Sequence, residues 1–140
     1  MKTDLILNKT IVAGFLEFKE DDLFEVYLIN LSNISFSRVV KRTGSSFENM
    51  NSNICEKEYK NFDPNTVILV DESDLGELDF NIWYMFELYE NKNEREEKSI
   101  VLDLSINWHD IYRQTLTQLP IIGKTGKIME LREIVRKNSN

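Results

Sequence analysis

The expected fold is mainly β: a single antiparallel β-sandwich, immunoglobulin-like, with about seven strands, a short helical element and a C-terminal amphipathic segment. Three observations lead there. Ile occurs 14 times and Ala once, at Ala13, a balance that suits pleated surfaces better than helices. Apolar side chains alternate with period two in short runs. Turn signals separate those runs at roughly ten-residue spacing, with no helical pattern between them.

The first strand is expected over residues 10–18, before the polar break Lys19-Glu20-Asp21-Asp22. The second, residues 23–31, has Phe24, Val26 and Leu28 on one face and Leu23, Tyr27, Ile29 and Leu31 on the other. Only Glu25 interrupts the second face, so both sides of this strand need cover. Leu31-Ser32-Asn33 reads as a tight connection, and residues 34–42 as a third strand. The polar stretch 43–53, with Gly44, three serines and three asparagines, reads as a long loop. Residues 56–62 form a charged edge strand, since charge discourages edge-to-edge pairing. Asp63-Pro64-Asn65 is a turn, because Pro presets φ and Asp and Asn bond the local backbone. Residues 66–70 follow as a β-branched strand, and the acidic stretch 71–79 reads as a loop.

Residues 81–90 place Ile82, Tyr84, Phe86 and Leu88 on one face and Trp83, Met85 and Tyr89 on the other. Residues 91–98 read as a charged turn. Residues 99–104 close the set, with Ile100, Leu102 and Leu104 inward. A short helix is expected at 107–114. Ile128, Leu131, Ile134 and Val135 fall at helical spacing, so residues 127–140 are read as a C-terminal helix or tail beyond a sandwich of residues 1–126. A short strand with a basic tail is the alternative. The apolar stretch from Trp108 to Ile122 is expected to pack across an open face or end of the sandwich.

Charge and composition exclude several functions. Seventeen basic residues stand against 24 acidic ones, a net charge of −7. That argues against nucleic acid, which needs a basic footprint, and against an anionic membrane surface. The lone Cys55 permits no intramolecular disulfide, and the first apolar run is too short for a signal-peptide core. The expected location is the cytoplasm.

No residue is assigned to catalysis, to a cofactor or to a metal. Gly123-Lys124-Thr125 lacks the earlier glycine of a phosphate loop, since Gln118 stands there. It reads as a turn, with Gly123 and Gly126 supplying free φ. His109 and Cys55 are each the only residue of their type, and nothing in the sequence joins them as a nucleophile pair. The carboxylates of 71–79 miss the calcium-loop spacing, with Leu75 and Ile82 at ligand positions.

The aromatic residues on the face away from the core are Tyr27, Trp83 and Tyr89, the candidate interaction surface. The expected function is a non-catalytic interaction module that binds a protein partner or a second copy of itself. The competing reading is an enzyme, or a ligand- or metal-binding protein, with its site on loops 43–53 and 71–79.

Five segments carry a family resemblance: Phe24-Glu-Val-Tyr-Leu-Ile-Asn30, Arg38-Val-Val-Lys-Arg-Thr-Gly44, Phe62-Asp-Pro-Asn-Thr66, Asn81-Ile-Trp-Tyr-Met-Phe86 and Leu119-Pro-Ile-Ile-Gly-Lys-Thr-Gly126. Together they resemble a family of short uncharacterised bacterial proteins often labelled phenylalanyl-tRNA synthetase subunit alpha. The resemblance spans roughly residues 23–126. A synthetase domain must enclose ATP, an amino acid and a tRNA end, with arginines on the phosphates. This chain is too short and too acidic for that and lacks such an arginine-bearing motif, so the resemblance carries over no site residue.

Overall fold

The computed structural model describes residues 11–18, 22–47, 50–51, 55–74 and 81–134. They form an antiparallel β-sandwich. Sheet A contains β1 (Ile11–Phe18), β2 (Leu23–Asn30), β6 (Thr66–Asp74), β9 (Leu116–Gln118) and β10 (Thr125–Met129), in the order β6-β2-β1-β10-β9. Sheet B contains β3 (Phe36–Phe47), β4 (Met50–Asn51), β7 (Asn81–Lys92), β8 (Arg95–Ile106) and β11 (Arg132–Glu133), in the order β11-β8-β7-β3-β4, and β5 (Cys55–Phe62) also pairs with β3. One helix, α1 (Trp108–Arg113), follows β8. No helix among the described residues is long and apolar enough to cross a membrane.

The inner faces follow from the period-two pattern. Ala13, Phe15, Phe24, Val26 and Leu28 of sheet A meet Val39, Tyr84, Phe86, Leu88, Leu102 and Leu104 of sheet B in one core, which Ile111 of α1 joins. Phe15 stacks on Phe24 with ring centres 5.3 Å apart. Asn30 is fully buried where the sheets meet. Its amide donates to the carbonyls of Ile34 and Phe62, and its Oδ1 accepts from the backbone N–H and hydroxyl of Ser32. A buried amide is tolerated because both its ends are bonded.

The expected element positions are met for β1, β2, β5, β7 and α1. Elsewhere the structure corrects the reading, and it has eleven strands among the described residues instead of about seven. The start of loop 43–53 is the continuation of β3 to Phe47, paired with β7 on one side and with β5 and β4 on the other. Backbone ladders on both sides stabilise a strand whatever the polarity of its side chains. The start of loop 71–79 is likewise β6, paired to β2 as far as Asp74. Residues 48–49, 52–54 and 75–79 lie outside the described residues. The charged turn 91–98 is a tight hairpin: Asn93 and Glu94 both have positive φ, and Lys92 already pairs with Arg95.

The C-terminal helix is also corrected. Residues 125–129 form β10 between β1 and β9, and Arg132–Glu133 pair with β8. The expected boundary at residue 126 therefore cuts through a strand. The open backbone edge of β1 outweighs a short helical pattern, because a short helix is marginal without partners. Residues 135–140 lie outside the described residues.

The apolar outer face of β1 and β2 is covered from within the chain. Leu119, 1% exposed, lies over Gly14 and Gly126. A Cβ on Gly126 would come 2.5 Å from the Phe15 carbonyl oxygen and 2.9 Å from Leu119. Gly126 thus serves close approach, and of the two glycines expected to supply free φ only Gly123 does so, at φ 75. Two consequences are measurable by urea unfolding. Leu119→Ala should lower stability by about 2–5 kcal/mol. Gly126→Ala should lower it by about 1–3 kcal/mol, because a backbone atom blocks the added methyl group.

Candidate functional site

The three candidate aromatics lie on both outer faces of the sandwich. Trp83 and Tyr89 belong to β7 in sheet B. Tyr27 belongs to β2 in sheet A, so the three do not form one surface.

On sheet B the aromatics are already engaged. Trp83 lies against Gly44, where a Cβ would come within 2.8 Å of its ring. The Arg38 guanidinium sits 4.1 Å from the Tyr89 ring centre, a cation–π contact. The same sheet carries separate groups of ion pairs. Arg42 bonds both Glu56, at 2.9 Å, and Glu87, while Lys98 reaches the other oxygen of Glu87 at 2.7 Å. Arg38 pairs with Glu96 at 2.8 Å, and Arg132 with Asp103 at 2.9 Å. Burial pushes the Glu87 carboxyl up, but the hydrogen bonds and charges of Lys98 and Arg42 outweigh this and hold it below its ordinary value.

Sheet A has a different outer face. Leu119 covers the β1 side, whereas among the described residues no segment covers Leu69 on the β2–β6 side. Tyr27 pairs across the strands with Leu69, which is 42% exposed. The next outward pair toward the other end of the strip is Glu25 opposite Glu72. The Tyr27 hydroxyl donates to Glu25 Oε1 at 2.5 Å. Burial, that hydrogen bond and the charges of Glu25 and Glu72 push the Tyr27 phenol up to about 12. Among the described residues Glu25 and Glu72 have no ion-pair partner, and β6 has no strand on its far side. The exposure of Leu69 and the facing carboxylates were not singled out from the sequence. The signal was present in the alternation of residues 66–74, but reading 71–79 as a loop hid it.

A second polar group lies between the sheets. The β2–β6 register slips at Val26/Tyr27, leaving Val70 without a partner. The Val70 carbonyl accepts from Lys41 Nζ, and from the Tyr59 hydroxyl at 3.4 Å. Asp71 accepts from the buried Tyr84 hydroxyl at 2.5 Å. Burial lowers the Lys41 ammonium below its ordinary value, against the pull of Asp71. Burial and Asp71 both raise the Tyr84 phenol. Lys41 is 7% exposed and its ammonium is bonded to backbone, so this arrangement ties the sheets together and leaves the amine little access to a substrate.

The other candidate chemistries stay apart. Cys55 is exposed at the start of β5, and His109 is exposed on α1. Among the described residues no three His, Cys, Asp or Glu side chains converge on a metal position. A small hollow of about 150 Å³ beside Ile11, Met129 and Leu131 has Gln114 and Glu130 as its polar lining. No family model matches the chain, and no curated protein matches it.

Two titrations follow from these charges. In Glu25→Gln/Glu72→Gln, the phenol absorbance step that is missing from Tyr27→Phe should move from about 12 toward the ordinary 10.0. Glu87 is held low in the folded state, so it stabilises the fold above its unfolded value near 4.5 and loses that contribution as pH falls through the folded value. The stability gap between wild type and Glu87→Gln should therefore stay constant above about pH 4.5 and shrink as pH falls from there through the lower folded value.

Proposed function

We propose that this chain is a non-catalytic β-sandwich module that binds another protein through the open β2–β6 side of sheet A, centred on Tyr27. One observation carries the reading: Tyr27 and the exposed Leu69 sit side by side on a face that no segment of the described chain covers, next to an unpaired sheet edge. An aromatic anchor beside an exposed aliphatic group, rimmed by charge, matches the make-up of interface centres. Trp83 and Tyr89 fit this role less well, because Gly44 and Arg38 already occupy their faces. The lone Cys55 supports action in the cytoplasm, where thiols stay reduced.

A second copy of the chain is the less favoured partner. The carboxylates around Tyr27 would meet the same carboxylates across a two-fold axis, and like-charge juxtaposition is costly.

The test is capture from native extract with the full chain and three variants, Tyr27→Ala, Trp83→Ala and Tyr89→Ala. A protein retained by wild type, Trp83→Ala and Tyr89→Ala, but reduced about tenfold or more with Tyr27→Ala, is the expected result; anchor residues of this kind cost about 2 kcal/mol or more when truncated. Loss with Trp83→Ala or Tyr89→Ala alone moves the surface to sheet B. Equal retention by all variants overturns the aromatic-surface reading.

A further inference from the structure

We infer that the occupant of the β2–β6 strip is a cationic, extended segment of the partner protein, which sets an apolar side chain on Tyr27 and Leu69 and Lys or Arg side chains on Glu25 and Glu72. The inference rests on the proposed interaction role and names the partner's chemistry.

Glu25 and Glu72 are cross-strand partners on the same outer face. Like charges directly opposite each other on a sheet are destabilising. On sheet B the outward carboxylates Glu56, Glu87, Glu96 and Asp103 each have an arginine or lysine partner; a second facing pair, Glu90 opposite Glu97, lies at the hairpin end beside Lys92. Glu25 and Glu72 have none among the described residues, although the chain places cations freely on the other sheet. Glu25 accepts from the Tyr27 hydroxyl, and a cationic group laid on the pair would offset the remaining like-charge repulsion.

Geometry limits the occupant to an extended chain. The strip is a sheet face two strands wide at the end of sheet A, with apolar and acidic pairs in succession: Tyr27 with Leu69, then Glu25 with Glu72. Side chains on one side of an extended segment recur about every 7 Å. One such segment laid along the strip therefore sets an apolar group on the first pair and a cation on the second. A flat nucleic-acid backbone has the wrong sign of charge.

The edge of β6 also favours a foreign segment over a second copy. The slip at Val70 and the acidic side chains are devices that keep an edge from pairing with itself. The same charge attracts a cationic chain, so one feature rejects the wrong partner and recruits the right one.

The probe is a fluorescent nonapeptide of the repeat Val-Thr-Lys-Thr, whose same-side positions alternate valine and lysine, added to the full-length protein and followed by anisotropy. Wild type should bind it, with affinity falling steeply as salt rises from about 0.05 M to about 0.5 M. Glu25→Gln/Glu72→Gln should bind about tenfold or more weakly. Glu56→Gln, whose wild-type carboxylate is already paired with Arg42, should bind as wild type does. The same nonapeptide with glutamate for lysine should not bind. Folding is monitored independently: removing the facing charges should leave the thermal midpoint unchanged or raise it. Failure of wild type to bind the lysine peptide, equal binding by the double variant, or equal weakening by Glu56→Gln overturns the inference. If the captured partner is lost with Tyr27→Ala yet retained by the double variant, the interaction role stands and the cationic occupant is wrong.

Discussion

The register of β2 against β6 slips by one residue at Val70, and the joining of the two sheets at that corner follows from the slip. Val70 has no cross-strand partner there, and Lys41 from sheet B reaches its carbonyl together with Tyr59. The next residue, Asp71, faces inward and takes the hydroxyl of Tyr84. Three polar side chains from sheet B would otherwise enter the interior without partners, at a cost comparable to a lost hydrogen bond each. The same slip keeps Leu69, Glu72 and their neighbours on the outer face, so the strip around Tyr27 depends on it as well.

The two sheets solve the problem of their outer faces in different ways. Sheet A is apolar there along β1 and the adjoining part of β2, and Leu119 folds back over two glycines to close it. Sheet B has Val40, Trp83, Met85 and Tyr89 outward among charged side chains that pair with one another, with Arg38 over the Tyr89 ring and Trp83 against Gly44. On sheet A the facing carboxylates Glu25 and Glu72 have no ion-pair partner among the described residues and add to the acidic balance of the whole chain.

Much of the candidate site was legible in the residues. The alternation in 81–90 separates buried Ile82, Tyr84, Phe86 and Leu88 from outward Trp83, Met85 and Tyr89, and the structure keeps that division. The alternation in 23–31 likewise puts Tyr27 opposite Phe24, Val26 and Leu28. What could not be read was which outward aromatics share a surface, because that depends on the sheet to which each strand belongs. Nor could polar strands be told from loops. Residues 43–47 and 71–74 have the composition of loops, but their backbones are held by neighbouring strands far away in sequence.

The amino-acid sequence by itself determined the class of fold, the faces of the apolar strands and the short turns. These are local matters: side-chain period, φ preference and the bonding habits of Asn, Asp and Pro act within a few residues. The tertiary structure alone decided the pairing of β10 with β1, the slip at Val70, the inward lysine and the cover supplied by Leu119. Each depends on a backbone or carbonyl brought close by distant segments. A hydrogen-bonding group exposed along β1 recruits residues 125–129 as a strand, whatever helical spacing their side chains carry.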